Sequence, residues 1–270
     1  MKFPFPSNPK IGIVGLGFVG SAIASAMEGS TDLVLVDKDP AKGLHTYSDL
    51  ASCEGVFVCV PTPMSDDGKC DTSILEYVLN QLKDYRGVII SKCTAPPSVY
   101  QELNDRYPNL VHAPEFLTAA NAVRDYLNGE FAIIGGSVGA YQRDAERIIR
   151  WGQPNLQSVQ HCTIQEAALA KYAINSFLST KVTFMNELYL LATKTGQDYN
   201  KIAEMITMDK RIGNSHMRVP GPDGEFGFGG MCFPKDTSAL LKYAEQQGAQ
   251  LNVLDAAVKK NLILRLTEPK

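Results

Sequence analysis

Apolar positions in the first half of the chain come in short, nearly unbroken runs. KIGIVG (10–15), LVLVD (33–37), GVFVCV (55–60), GVIIS (87–91), LVHA (110–113) and FAIIGG (131–136) are rich in β-branched residues and show little polar alternation. Strands covered on both faces read this way. Helical periodicity fills the gaps, notably Ser21–Glu28, Ser73–Lys83 and Ala140–Gly152, and the alternation predicts a doubly wound parallel sheet in an α/β domain. The second half differs. From Thr163 onward no run reads as a convincing strand. Thr163-Ile-Gln-Glu166 spells a capping box, and a helical pattern then continues without Pro or Gly until Gly196, which is about 45 Å of helix. A second helix is expected from Asn200 to Met208. Pro234 suits the first turn of a third, which continues to Gln247 and stops at Gly248. The expected division is a Rossmann-type domain over residues 1–160 and an all-helical domain over 161–270.

Composition narrows the function classes. The 270 residues are 44% hydrophobic and 20% charged, with a formal net charge of −3; this balance gives no reason to expect binding to nucleic acid or to an anionic membrane. No apolar stretch reaches the ~20 residues that span a bilayer. The amino-terminal MKFPFPSNPK lacks the apolar core and cleavage signature of a signal peptide. The six cysteines show neither CxxC pairing nor metal-ligand spacing. Cys53, Cys59 and Cys93 sit in or beside apolar runs, where a reduced, buried thiol is the default. No metal is expected, and the cytoplasm is the expected compartment.

The first chemistry-bearing motif is Gly15-Leu16-Gly17-Phe18-Val19-Gly20, which follows a predicted strand and opens a predicted helix. A glycine-rich turn is common, but this context matches a dinucleotide mechanism. The first two glycines permit a tight turn and close approach to a pyrophosphate, the third permits close helix–strand packing, and the helix N-terminus supplies amide donors. Asp37, at the end of the next predicted strand, is placed to accept from a ribose 2′-hydroxyl and to repel a 2′-phosphate. This favours NAD over NADP, with Lys38 beside it pulling slightly the other way.

Three further loops lie just past carboxyl ends of predicted strands, where open α/β sheets bind ligands: Val60-Pro61-Thr62-Pro63, Lys92-Cys93-Thr94-Ala95-Pro96 and Ala113-Pro114-Glu115-Phe116-Leu117. Prolines also simply end strands, so each loop alone carries both readings. On the long helix Lys171 and Asn175 are four residues apart and share a face, among small and apolar neighbours. Lys171 is either a snorkelling solvent-face residue or a partly desolvated group aimed into a crevice. The stretch GFGGMCFPKD (227–236) holds Cys232 between a glycine-rich turn and Pro234, with Lys235 and Asp236 behind it. Cys232 is either a small buried residue in a turn or a nucleophile at a helix N-terminus, where dipole and free amides stabilise negative charge. A thiol facing a nicotinamide suggests covalent aldehyde oxidation, with hydride leaving from a thiohemiacetal and water releasing an acid.

GFGGMCFPKD resembles the GxGGxCFPKD cysteine motif of the UDP-glucose/GDP-mannose dehydrogenase family. The resemblance runs in family order through the glycine turn, Val60–Pro63, the Thr94 loop, Pro114–Leu117, Lys171 and Asn175, and Arg211-Ile-Gly-Asn214, almost the whole chain. It implies oxidation of the C6 alcohol of a nucleotide sugar to a carboxylate, using two NAD and one water, with UDP-glucose leading the candidate sugars. By resemblance Cys232 holds the aldehyde-level intermediate, Lys171 stabilises the developing oxyanion, and Asp236 works with it on water. Asn175 contacts the reacting C6 region, Glu115 does acid/base work and Thr94 supports the water. The implied cofactor contacts are Gly15, Gly17, Phe18, Val19, Gly20, Asp37, Lys38, Pro61, Thr62, Thr94 and Lys235. The implied substrate contacts are Glu115, Phe116, Leu117, Lys171, Asn175, Arg211 and Gly229. A homodimer through the helix at 163–195, with Arg211 reaching the neighbour's substrate, is implied as well.

The chain departs from the family pattern in three places. Thr118-Ala119-Ala120 stands where members commonly carry an acidic residue and glycine. The linker from Arg211 to Gly227 is longer and richer in turns; its His216, Arg218 and Asp223 are either solvated loop residues or sugar and nucleotide contacts. The sequence also stops at Lys270, where members carry a second α/β domain, so the chain is either a natural short form or a piece of a longer protein. Two other readings stay open: a two-domain 3-hydroxyacid or 6-phosphogluconate-type dehydrogenase, which needs no cysteine, and a non-catalytic NAD-binding homologue.

Overall fold

Seven strands form one sheet in the order β2-β1-β3-β4-β5-β6-β7: β1 (Lys10–Val14), β2 (Asp32–Val36), β3 (Gly55–Val58), β4 (Val88–Ser91), β5 (Leu110–His112), β6 (Phe131–Gly135) and β7 (Ser158–Cys162). The computed structural model describes residues 8–267, and the amino-terminal stretch weighed as a signal peptide lies largely outside them. Neighbouring strands from β2 to β5 pair in parallel, as do β6 and β7. The sheet departs from the all-parallel expectation once, where His112 of β5 meets Gly135 of β6 antiparallel. Doubly wound sheets often carry such a reversed edge.

Alternation along each strand explains why both faces are covered. Val56, Val58 and Ile89 join one core with Leu75, Val78 and Leu79 of α2 (Ser73–Gln81) and Tyr100 and Leu103 of α3 (Pro97–Arg106). Phe57, Val88 and Ile90 join the other core. Its helical side comes from Ile23 and Met27 of α1 (Phe18–Met27), Tyr126 of α4 (Ala122–Leu127), and Ile148 and Ile149 of α5 (Ala140–Gly152). Apolar side chains on both sides of every central strand leave no polar alternation to see in the sequence.

The helical part begins as the capping box predicts. The Thr163 amide donates to Glu166 Oε2 (2.8 Å) and the Glu166 amide to Thr163 Oγ1 (3.3 Å), and α6 runs from Ile164 to Lys194. Asp198 caps α7 (Tyr199–Thr207), accepting from the amides of Asn200 and Lys201. α8 (Phe233–Gln246) and α9 (Asn252–Thr267) follow. Two compact units result, one built from residues up to Pro63 and Cys70–Lys171, the other from Met64–Lys69 and Tyr172 onward, so the division falls inside α6. The second unit has its own core, with Met185, Tyr199, Met217, Val219, Phe226 and Leu264. Among the described residues no helix is long and apolar enough to cross a membrane.

One buried base ties stability to pH. His112 is fully buried, stacks on Tyr100 at 4.1 Å, and its Nδ1 donates to the Ser91 carbonyl at 3.2 Å. Burial pushes its pKa down to about 3, which the Ser91 bond opposes and the Lys92 and Lys171 charges reinforce. An unfolded histidine titrates near 6.5, so between those values the unfolded chain takes up a proton that the folded chain refuses, and acidification destabilises. In urea melts, replacing His112 by Asn, which keeps a donor in the Nδ1 position, should reduce the loss of stability between pH 6.5 and 4. The decrement is at most about 1.4 kcal/mol per pH unit, and an unchanged slope would remove His112 from the acid response.

Candidate active site

In the first unit, the turn between β1 and α1 has the geometry of a phosphate cradle. Gly15 takes φ +91° and its amide donates to the Val36 carbonyl at 2.8 Å. A Cβ on Gly20 would stand 1.9 Å from the Gly15 carbonyl oxygen, whereas one on Gly17 would meet nothing within 4 Å. Glycine is thus a packing necessity at Gly20 and an open approach at Gly17. Gly17 is also the N-cap of α1 and supplies no side-chain cap, so the first amides of the helix face outward beside exposed Phe18 and half-buried Val19.

Asp37 closes this cradle. Its Oδ2 accepts from the Leu16 amide (2.6 Å) and its Oδ1 from the Asp39 amide (2.9 Å). Burial raises its pKa, but the amides of Asp39 and Leu16 and the charges of Lys42 and Lys38 outweigh that, and the carboxyl is held below its ordinary value. Each oxygen keeps a lone pair for a ribose hydroxyl. These residues fit a dinucleotide.

The loops after β3, β4 and β5 are bonded to one another within the same unit or held by lysines. Thr62 Oγ1, buried between exposed Pro61 and Pro63, donates to the Thr94 carbonyl at 2.6 Å, and Cys70 Sγ reaches the same oxygen at 3.3 Å. Glu115 is gripped at three points. Lys92 Nζ lies 3.3 Å from its Oε2, the Phe116 amide donates to its Oε1 at 2.9 Å, and Lys171 Nζ donates to its main-chain carbonyl. Lys171 also stands 5.0 Å from the Phe116 ring centroid. It is a half-buried, engaged cation and not a solvated one. Leu117 packs into the nearby core.

In the second unit, Cys232 is exposed and forms the N-cap of α8. Its carbonyl accepts from the Asp236 amide at 2.8 Å; the Asp236 side chain is buried. Asp236 Oδ2 accepts from Asn175 Nδ2 at 2.6 Å and its Oδ1 from Lys235 Nζ at 2.5 Å. The sequence expectation of Lys235 as a cofactor contact thus meets an ammonium already bonded to Asp236. Arg211 is exposed and folded back on Asp209 through bonds of 3.0 and 3.1 Å from its Nε. In the long linker Arg218 is exposed, Asp223 Oδ2 accepts from Arg265 Nη2 at 2.8 Å, and His216 lies half-buried 5.5 Å from the Phe233 ring with φ 61°. Gly229 is half-buried beside Arg265.

Sequence reasoning gave Lys92 no role. Only 7% of it is exposed, and its signal was a lysine directly after the apolar run VIIS, where an unpaired cation is costly.

A profile of the UDP-glucose/GDP-mannose dehydrogenase family, NAD binding domain, matches residues 43–150, and the profile of that family's central domain matches residues 165–262. The first begins past the glycine turn, so the turn stands on its own geometry; the domain description identifies the cofactor as NAD. The chain is 31% identical to the UDP-glucose 6-dehydrogenase TuaD of Bacillus subtilis, over 79% of this chain and 47% of that protein. It therefore spans about half the length of this relative. A UDP-glucose dehydrogenase from Pyrobaculum islandicum superposes with a TM-score of 0.81 at 25% identity, covering 97% of this chain and 70% of that one. A 3-hydroxyisobutyrate dehydrogenase of Mycobacterium tuberculosis shares the fold at a TM-score of 0.71 and 18% identity, covering 93% of this chain and 92% of its own. With both family profiles matched in order along its length, the chain belongs to the UDP-glucose/GDP-mannose dehydrogenase family.

Proposed function

We propose that the chain oxidises the C6 alcohol of a nucleotide sugar, UDP-glucose to UDP-glucuronate, through an intermediate bound to Cys232. The observation that carries this reading is an exposed thiol at the N-cap of α8, one turn ahead of a buried carboxylate held by an amide and an ammonium. NAD, when bound, supplies the hydride acceptor; Gly15, Gly17, Gly20 and Asp37 are the residues that would hold it, with Thr62 and Thr94 supporting. Oxidation to the acid removes two hydrides and adds one water. Between those events Cys232 adds to the aldehyde carbon, the oxygen becomes an oxyanion, and hydride loss leaves a thioester that water opens. Lys171 is the cation for the oxyanion. Asp236, its two oxygens fixed by Asn175 and Lys235, orients water, Glu115 does the acid–base work and Thr94 supports the water. The 3-hydroxyacid dehydrogenase reading has a fold likeness in its favour, but it leaves the thiol unused.

The same reading includes a homodimer. Phe177, Phe184 and Leu191 of α6 are 70%, 58% and 57% exposed and recur every seven residues, a single stripe two turns apart. Large exposed apolar side chains in a row support a partner surface, here a second copy of α6, with Arg211 reaching the neighbour's substrate.

Three outcomes test these points. Purified chain supplied with UDP-glucose, GDP-mannose or a UDP-N-acetyl sugar should form two NADH per sugar, and Cys232→Ser should stall after the first oxidation or accumulate an ester, because an alkoxide leaves less readily than a thiolate. Full acid release by that variant sinks the assigned role and favours the thiol-free reading; NAD binding without turnover on any sugar favours a non-catalytic protein. Asp37→Ala should weaken NAD by about 1–3 kcal/mol with a smaller loss for NADP, read by titration; equal losses take Asp37 out of the ribose site. In sedimentation, Phe184→Glu should turn dimers into monomers, and an unchanged mass would reject the α6 interface.

A further inference from the structure

The segment that delivers Cys232 is held along its backbone by two asparagines from other helices. Asn186, on α6, is 1% exposed; its Oδ1 accepts from the Gly227 amide at 2.9 Å, and its Nδ2 is anchored on the Val182 carbonyl of its own helix at 2.8 Å. Asn261, on α9, is 5% exposed and treats Phe228 as a neighbouring strand would. Its Oδ1 accepts from the Phe228 amide at 2.6 Å and its Nδ2 donates to the Phe228 carbonyl at 3.0 Å. One turn further along α9, Arg265 donates to the Phe226 carbonyl at 3.4 Å and to Asp223 Oδ2 at 2.8 Å. Gly227 sits at φ +73°, and a Cβ there would lie 2.3 Å from Asn261 Oδ1. The clamp and the glycine require each other.

We propose that Asn186 and Asn261 are positioning residues for Cys232. The inference rests on the reading of Cys232 as the nucleophile. Gly227 and Phe228 are buried, so their amides must be paired within the protein, and secondary structure offers them nothing: they lie in the loop before α8. The asparagine amides replace the missing ladder at a point four residues ahead of the thiol. Fixing Phe228 also fixes Phe233, the first residue of α8, whose ring meets the Phe228 ring edge-on at 6.2 Å. The start of α8, and with it the N-cap sulfur, is thereby tied to α6 and α9. Losing either asparagine lets the helix start fray. Because the thiol is already exposed, fraying does not improve its access; it removes the thiol from the N-cap, where the helix amides favour developing negative charge.

The test uses the full chain with Asn186→Leu and Asn261→Leu, each similar in volume and unable to bond. Alkylation of Cys232 by iodoacetamide, followed by peptide mass, should slow about threefold, and kcat on the active nucleotide sugar should fall about tenfold to a hundredfold, while the NAD dissociation constant stays within about twofold. Should a leucine variant fail to fold, Asn261→Asp, which keeps the acceptor for the Phe228 amide and loses the donor to its carbonyl, takes its place and should show the same pattern. A lowered melting temperature with alkylation rate and kcat both at wild-type values assigns the asparagines to stability alone and overturns the proposal. Alkylation needs no turnover, so it judges the clamp even if no sugar is oxidised. Conversely, wild-type turnover by Cys232→Ala would reject the nucleophile and leave the alkylation result intact.

Discussion

A parallel sheet covered on both faces leaves a ligand few places to approach it. The faces of the first unit are filled by α1, α4 and α5 on one side and α2 and α3 on the other, so a ligand meets loop backbone where the strands end. Every loop with chemistry in this unit leaves the carboxyl end of a parallel strand: the glycine turn after β1, Asp37 after β2, Pro61 and Thr62 after β3, Thr94 after β4 and Glu115 after β5. The constraint belongs to the topology. What remains to each loop is to hold still.

Buried polar groups do the holding. Thr62 reaches across to the Thr94 carbonyl, Lys92 and Lys171 take the side chain and the main chain of Glu115, and Asn175 takes Asp236. In each case a group removed from water is satisfied by a side chain from a different element, because an unpaired one would cost more than the bond returns. Partners remote in sequence thus order these loops beside their own turn chemistry, as at Asp37, whose Oδ1 takes the Asp39 amide.

This is also why the sequence was readable in parts. Six strands announced themselves because β-branched runs such as VIIS and GVFV must be buried on both faces, and the capping box at Thr163 placed the start of α6 correctly. β7 did not, since SVQHC is an edge strand with none of its five residues fully buried and reads as loop. α9 was missed for the opposite reason: Asn261 and Arg265 look like surface residues until the loop they serve is in place. Residues with local signatures, the glycine turn and the cysteine motif, could be found by spacing. Lys92, Asn186 and Asn261 act through contacts that no spacing encodes, and Arg211, tied to its neighbour Asp209, shows how a motif residue can be named without its partner being visible.

Two carboxylates carry the proposed chemistry, and each has its own lysine: Glu115 with Lys92 at 3.3 Å in the first unit, Asp236 with Lys235 at 2.5 Å in the second. Stability alone does not explain such pairs. Taking two charges out of water costs several kcal/mol per ion, and apolar replacements of buried pairs are often neutral or stabilising by about 1–4 kcal/mol. Lys92 has apolar strand residues before it and could be replaced by one. What an apolar substitute cannot do is fix where a carboxylate oxygen points. In both pairs the second oxygen is also taken, by the Phe116 amide in one and by the Asn175 amide in the other. A directional bond on one oxygen and a cation on the other hold each carboxylate against rotation, which is what general acid–base work at a defined atom requires and what folding does not.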